Sequence, residues 1–418
     1  MKHKSHTHDF KGLWHNLIKK NDNYRYIFHE YYFSTQYKKY KFFTSIFALL
    51  RDFYIGIGKK TIDLKKNIFF FFTLLGSSGL DNFKNNKDFQ KSNLIKVDLK
   101  RNISKKVTKL IHPLNFLFVK NFIKIFRSIN WQKEHGLLLL IYSLRLSLWC
   151  TIWLNFLSKL KKNKCKIYIH NDFDIYNSSL IYVLKKNFLQ KKKITTICFQ
   201  HGIPTDEFFP TKSDLYVVWS KHMRQLFHKA NKKYGRNSTK FKIENYLNIK
   251  VKRSNENIFN NKKSYFISQG HTKIFGEKLN HNLINFFTKL TLLIPNFYCL
   301  LHPNETLKNN NYKKIPKNKI IESPHNFSYK KKSNIYVCFC STAMLKCMQN
   351  QHIVIGINMI PEKSLLTFNY LKPNLSFQYL DQIISMIELI KNNNLLAKKI
   401  INKQNLYLKK ILGPNIYF

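Results

Sequence analysis

Glycine and proline are scarce in this chain, 12 and 10 residues in 418, so the few that occur mark places where the backbone needs them. Acids are scarce too: 22 aspartates and glutamates stand against 72 lysines and arginines. The seven cysteines lie mostly in apolar runs, and none forms a CxxC pair. That excludes a zinc ribbon and a disulfide framework, and it points to a reduced, cytoplasmic setting. No Walker sequence, GxGxxG fingerprint or G-x-S-x-G elbow is present, so neither a P-loop enzyme nor a serine hydrolase is supported. The basic, histidine-rich start, 1–8, has no apolar signal core behind it, and secretion is not expected. No repeat of solenoid period occurs.

Positive charge is abundant: the net charge is +50 with histidine neutral. Charge of that size favours polyanions and anionic lipid. Lys, Asn, Ile, Phe and Tyr are enriched together while Ala is depleted along with Gly and Pro, the drift of an AT-rich genome, so part of the charge is compositional. Lysine is spread through every segment, and there is no RNP sequence, zinc finger or separable basic helix. No specific nucleic-acid partner is therefore expected. Two apolar stretches bear on membranes. Residues 68–75 are too few to span. Residues 136–157 suffice in length but hold Arg145, with Lys159, Lys161 and Lys162 behind them, and read as a buried or interfacial helix.

Along the chain, 1–65 is basic, aromatic and helical in flavour, with Asp9 as a cap for a turn from Phe10. A strand at 68–75 runs into Gly76-Ser77-Ser78-Gly79, 82–106 is a polar excursion, and helical periodicity returns over 113–129 and 136–160. Strands then alternate with helices: strands at 165–169, 194–199 and 215–219, helices at 178–189 and 221–233. A polar stretch sets the domain linker at 251–263. Beyond it come strands at 265–268, 297–301, 319–321, 335–340 and 353–357, and helices near 276–293 and 342–350. The tail, 380–412, reads as two helices broken near 392–394. Strand–helix repeats of this length predict parallel sheets covered by helices. The expected plan is an N-terminal extension (1–65), an α/β domain (66–250), the linker, and a second α/β domain with terminal helices (264–418), the two domains facing a cleft.

Polar islands sit at the ends of these predicted strands, where open α/β sheets build ligand sites. Ser341 and Thr342 open a helix, whose first turn has unpaired N–H groups suited to phosphate; Ser341 serves equally as a plain N-cap. His302-Pro303 ends a strand, and the proline fixes the backbone beside an imidazole able to donate to a phosphate or contact a base. Gln200-His201-Gly202 ends another, with His201 a ligand for acceptor or phosphate, or a base. Gln269-Gly270 follows Ser268 at the first strand of the second domain, where glycine lets amides approach a phosphate. Asp172 and Asp174 flank Phe173 just past another strand, spelling a DxD that chelates a divalent metal in some transferases. Either carboxylate suits a general base, and either suits a structural cap.

This order of islands resembles the GT-B glycosyltransferases of bacterial surface polysaccharides, and most of all the bacterial sialyltransferases and polysialyltransferases, with their acidic, HP and serine/threonine motifs. The likeness covers roughly 165–360. It implies two Rossmann-like domains and a nucleotide-sugar enzyme of capsule, lipopolysaccharide or other surface-glycan synthesis. His302 with Pro303, Gln269, Gly270, Ser341 and Thr342 would hold the nucleotide, and Gln200 and Gly202 would line the acceptor side. Asp172 or Asp174 would deprotonate a glycan hydroxyl in an inverting transfer that needs no metal and no cofactor beyond the nucleotide-sugar donor, CMP-sialic acid being one candidate. The acidic motif, NDFD, lacks the glycine of the sialyltransferase pattern. His201 is the alternative base, because teichoic-acid glycerophosphotransferases also use a histidine next to glycine. Those enzymes transfer a CDP-linked polyol phosphate, the second reading; a non-catalytic envelope-assembly protein is the third. The implied partner is a lipid-linked or growing glycan at the inner face of the cell membrane, with the protein cytoplasmic and peripheral to it.

Overall fold

A computed structural model describes residues 25–27, 41–56, 68–71, 116–127, 136–158, 164–169, 171–186, 193–200, 202–205, 208–234, 238–244, 263–268, 277–302, 305–322, 334–339, 341–359 and 371–413. The Asp9 cap, the 76–79 turn and all of the 251–263 linker but Lys263 lie outside them. The chain divides into two compact units, Met1–Val218 with Arg224–Tyr246, and Trp219–Met223 with Leu247–Phe418.

The first unit contains α1 (Lys41–Gly56), β1 (Ile68–Phe71), α2 (Phe116–Arg127), α3 (Gly136–Ser158), β2 (Lys164–Ile169), α4 (Ile175–Lys185), β3 (Lys193–Phe199), β4 (Leu215–Val218), most of α5 (Lys221–Tyr234) and β5 (Lys240–Ile243). Its sheet has the order β1-β2-β3-β4-β5, every pairing parallel. Inner strands of a parallel sheet are covered on both faces and read as unbroken apolar runs. Ile167–Ile169 and Tyr216–Val218 are accordingly buried. The edge strand β5 (KFKI) keeps its lysines in water, a charged edge that discourages further pairing.

The long helix α3 is apolar on every side, and a helix of that kind must be buried. It packs against α1, α2 and α4. Its 20 residues from Gly136 to Asn155 have the length and apolarity to cross a membrane, yet 72% of that window is buried inside the protein. Its hydroxyls return to the preceding turn: Ser143 Oγ donates to Leu139 O at 2.6 Å and Ser147 Oγ to Ser143 O at 2.7 Å. Arg145 is 2% exposed and its Nε donates to Asp52 Oδ2 of α1 at 2.7 Å. The helix α4 begins at Ile175, earlier than the periodicity predicts, because the Asp174 side chain accepts from Asn177 N and opens the helix there.

The second unit contains β6 (Ser264–Ile267), α6 (Glu277–Leu293), β7 (Phe297–Leu300), β8 (Ile320–Ile321), β9 (Ile335–Cys338), α7 (Thr342–Gln349), β10 (Ile353–Ile357), β11 (Ser376–Phe377), α8 (Leu380–Asn392) and α9 (Asn394–Leu412). Its sheet runs β11-β10-β9-β6-β7-β8, again wholly parallel. The chain starts at β6, winds outward through β7 and β8, returns to the other side of β6 at β9, and winds outward again. This is the doubly wound order of a Rossmann-type sheet. Phe266 of β6 stacks on Phe287 of α6 at 4.3 Å, inside a core that also holds Phe297, Ile335 and Val337 with Ile383 and Ile387 of α8. At Gly356 a Cβ would meet Ser376 Oγ at 2.6 Å, so the close approach of β10 to β11 requires glycine. Asn393 caps α9 by accepting from Leu396 N, which is the break expected in the tail. The predicted strand at 335–340 stops at Cys338, the last residue in register with β10. The expectation of α/β architecture with two parallel, Rossmann-like sheets and added N-terminal helices is met.

Candidate functional site

The reversal of strand order between β6 and β9 creates a topological switch point, where loops leaving neighbouring strands diverge and open a crevice at their carboxyl ends. Three of the predicted islands leave β6 and its two neighbours, β7 and β9. Ser268, at the end of β6, is buried, and its N donates to Leu300 O at 2.9 Å. His302 follows β7 and is half-buried. Ser341 follows β9 and is the N-cap of α7: its side chain accepts from Ala343 N at 3.2 Å, and Thr342 beside it is exposed. The end of α7 thus turns its remaining first-turn N–H groups toward the carboxyl edge. Gln269, Gly270 and Pro303 lie outside the described residues.

One residue at this edge was not anticipated. Glu305 Oε2 accepts from His302 N at 3.0 Å and from Ser268 Oγ, tying the exits of β6 and β7 together. Glu305 N donates to His302 O at 2.7 Å, closing the turn. Its second oxygen, Oε1, is buried and has no hydrogen-bond partner among the described residues. A buried carboxylate oxygen left so is an acceptor awaiting a donor. The signal was available in the sequence, an acid three residues after His302 in a chain with few acids.

Strand neighbours lie about 4.8 Å apart, so the α7 N-terminus at β9 and the carboxylate between β6 and β7 are separated by roughly 5–10 Å. One end offers amide and hydroxyl donors to an anion. The other offers a negative acceptor that repels phosphate and takes hydroxyls or N–H groups. A nucleotide, anionic at one end and rich in O–H and N–H at the other, matches that polarity.

In the first unit the predicted acids have other work. Asp172 is 1% exposed, and its Oδ2 accepts from Lys212 N at 2.5 Å, Ser213 N at 2.9 Å and Ser213 Oγ at 3.0 Å. Asp174 is buried as the N-cap of α4, its Oδ1 accepting from Asn177 N at 2.8 Å. These bonds fix the loop after β2 against the segment before β4. Both candidate bases are thus buried and engaged by main-chain donors, and Asp174 takes the cap role that the sequence also allowed. Among the described residues no group of three or more His, Cys, Asp or Glu is placed to hold a metal ion. Gln200 is buried and folds onto its own loop, Nε2 donating to Gly202 O at 3.1 Å. His201 lies outside the described residues.

Lys212, also unanticipated, is buried with Nζ donating to Asp172 O at 3.0 Å. Burial lowers its pKa to about 8, against the opposing pull of Asp172. Burial also pushes the thiols of Cys150, Cys198, Cys299 and Cys347 up, which leaves them protonated and poor nucleophiles.

No protein-family model and no curated protein matches the chain. Solved structures do. A Listeria monocytogenes protein assigned as a UDP-N-acetylglucosamine 2-epimerase aligns over 83% of this chain and 92% of its own, at 10% identity and a TM-score of 0.46. The UDP-GlcNAc 2-epimerase of Neisseria meningitidis, solved with UDP-GlcNAc, aligns over 81% and 95% at 12% identity and 0.43. The spinosyn rhamnosyltransferase SpnG, solved with thymidine diphosphate, aligns over 83% and 96% at 9% identity and 0.39. At these scores the likenesses carry no argument for what this chain does, which rests on the strand order and the loops.

Proposed function

We propose that the protein is a nucleotide-sugar-dependent glycosyltransferase whose second unit binds the nucleotide at the β6/β9 switch point. The observation carrying this reading is the convergence there of the Ser341 cap, the loop of His302 and the half-satisfied carboxylate of Glu305. In this reading the first turn of α7, with Ser341 and Thr342, takes the phosphates, and Gln269-Gly270 approaches them through backbone amides. His302, with Pro303 fixing its loop, stabilises the leaving phosphate, and Glu305 Oε1 accepts from ribose or base. With Asp172 and Asp174 taken up by main-chain donors, His201 is the proposed base toward a glycan hydroxyl, in an inverting displacement. Gln200 and Gly202 hold the loop that carries it. A bacterial surface glycan, growing or lipid-linked at the cytoplasmic membrane face, is the proposed acceptor, and CMP-sialic acid a donor to be tested first.

The test is thermal stabilisation by CMP, CDP, UDP, TDP and GDP, each with and without magnesium, for the native chain and for His302→Ala and Ser341→Ala. A ligand binding only the folded state at 100 times its Kd adds about 2.7 kcal/mol, a clear shift. One preferred nucleotide whose shift is lost in both variants is the expected result. A CDP preference with turnover of a CDP-polyol moves the protein to the phosphotransferase reading. No shift with any nucleotide refutes the proposal.

A further inference from the structure

The helix α1 turns a row of apolar residues outward. Of its polar residues Ser45 and Asp52 are buried, Ser45 against Tyr142 OH at 3.0 Å and Asp52 against Arg145, while Thr44 and Arg51 are exposed. Its aromatic and aliphatic residues Phe43, Phe47 and Leu50 are 66%, 68% and 57% exposed. These three stand at i, i+4 and i+7, one continuous stripe along the helix. The neighbouring helix α2 meets α1 through the edge-to-face rings of Phe53 and Phe118, 5.7 Å apart. On α2, Val119 and Ile123 are 48% and 43% exposed, again one turn apart. Between and beyond them Lys120, Lys124 and Arg127 are exposed. Neither helix carries any acid besides the buried Asp52.

Single exposed apolar residues need no explanation, but a row of them along one helix, continued on its neighbour and flanked by basic residues, does. A partner for this face must accept apolar side chains and supply negative charge beside them. We propose that the outer face of α1 and α2 docks on an anionic phospholipid bilayer, the apolar stripe entering the headgroup–acyl boundary and the basic residues meeting the lipid phosphates. The face belongs to the first unit and the proposed nucleotide chemistry to the second, so vesicle binding and nucleotide binding fail separately. Of the two stretches that suggest membrane contact, the basic aromatic N-terminal segment and 136–162, α1 of the first is kept and α3, most of whose apolar window is buried, is set aside.

The experiment is cosedimentation of the full chain with vesicles of phosphatidylcholine alone and of phosphatidylcholine mixed with phosphatidylglycerol. A chain of +50 charge adheres to anionic surfaces by charge alone, so binding is compared at low and high salt. At 1 M salt the Debye length falls to about 3 Å and apolar insertion is what persists. The variants are Phe47→Ser with Ile123→Ser and, as control, Leu292→Ser with Leu293→Ser, equally exposed residues of α6. Native protein and control are expected to bind the mixed vesicles and to keep part of that binding in high salt. The α1/α2 variant is expected to bind about ten- to a hundredfold more weakly, the loss from two apolar side chains no longer buried. Equal binding by the native chain and the α1/α2 variant overturns the proposal, since charge alone then explains it. Absence of vesicle binding overturns it as well. So does a concentration-dependent dimer abolished by the same substitutions, which would assign the face to a second copy of the chain.

Discussion

Replacing Asp52 by asparagine tests how the helices of the first unit are held. The carboxylate is fully buried, and its Oδ2 lies 2.7 Å from Nε of an Arg145 that is itself inside the protein. Oδ1 accepts from Arg51 Nη2 at 3.2 Å and from Tyr176 OH at 3.4 Å, so one acid joins α1, α3 and α4. At an effective dielectric constant near 20 the Arg145 pair attracts with about 6 kcal/mol, which the desolvation of two ions largely offsets. The net worth of the pair is therefore small, but removing one partner leaves the other's desolvation uncompensated. Asp52→Asn keeps shape and burial and removes the buried charge that Arg145 Nε meets on α1, so it is expected to cost about 3–5 kcal/mol. Arg145→Met is expected to cost a similar amount, while Asp52→Leu with Arg145→Met should recover most of the loss. The assay is denaturant unfolding followed by circular dichroism, reading the transition of the first unit in each member of the cycle. If the single changes cost under about 1 kcal/mol and add independently, the pair behaves as a solvated surface contact. The packing of α1 on α3 described above would then be refuted.

The buried Lys212 ammonium gives a pH signature. Its folded pKa is about 8 against an ordinary 10.5, so between those values the unfolded chain binds more protons and stability rises with pH; below about pH 8 the full cost applies, about 3 kcal/mol. Unfolding from pH 7 to 10 should show this rise in the native chain relative to Lys212→Met, and parallel curves would mean Lys212 is hydrated. At the switch point, Glu305→Gln keeps the turn's size but loses the charge that receives His302 N and Ser268 Oγ. Calorimetric titration of the preferred nucleotide should show about tenfold weaker binding, from one charge-assisted hydrogen bond, with the melting of the free protein little changed. An unaltered Kd would make Glu305 a turn cap and nothing more.

The interior strands were readable because burial on both faces writes itself as an apolar run: β9 and β10 are entirely buried, and their starts match the periodicity. The edges were not. β5 alternates lysine with apolar residues because one side meets water, and β11 is two residues long, too short for any period to show. Strand order is a long-range property, so the islands could be found along the chain while the reversal that gathers three of them around β6 could not. The same limit hid each polar partnership. Arg145 pairs with an acid 93 positions away, Asp172 with amides 40 and 41 positions on, and Glu305 with a serine 37 positions back.

Scarcity of acids shaped the reading of Asp172 and Asp174, and the structure changes what that scarcity means. In a chain of +50 a carboxylate is the natural counterpart for buried donors, and Asp52, Asp172, Asp174 and Asp214 are each held by such donors. Asp214 Oδ2, for example, accepts from both N and Oγ1 of Thr196 at 2.8 Å, clamping β3 to the segment before β4. Rarity therefore selects acids for structural satisfaction first, and an acid near a strand end is weak evidence for chemistry until its lone pairs are counted. Glu305 passes that count where the others fail it. Among the described residues its Oε1 is the one buried carboxylate oxygen with no partner, and it sits at the carboxyl edge beside the reversal of strand order. A group that costs about 1–3 kcal/mol to leave unsatisfied is retained where something else completes it. In the proposed site Glu305 Oε1 is the atom that an O–H or N–H group of the nucleotide would complete.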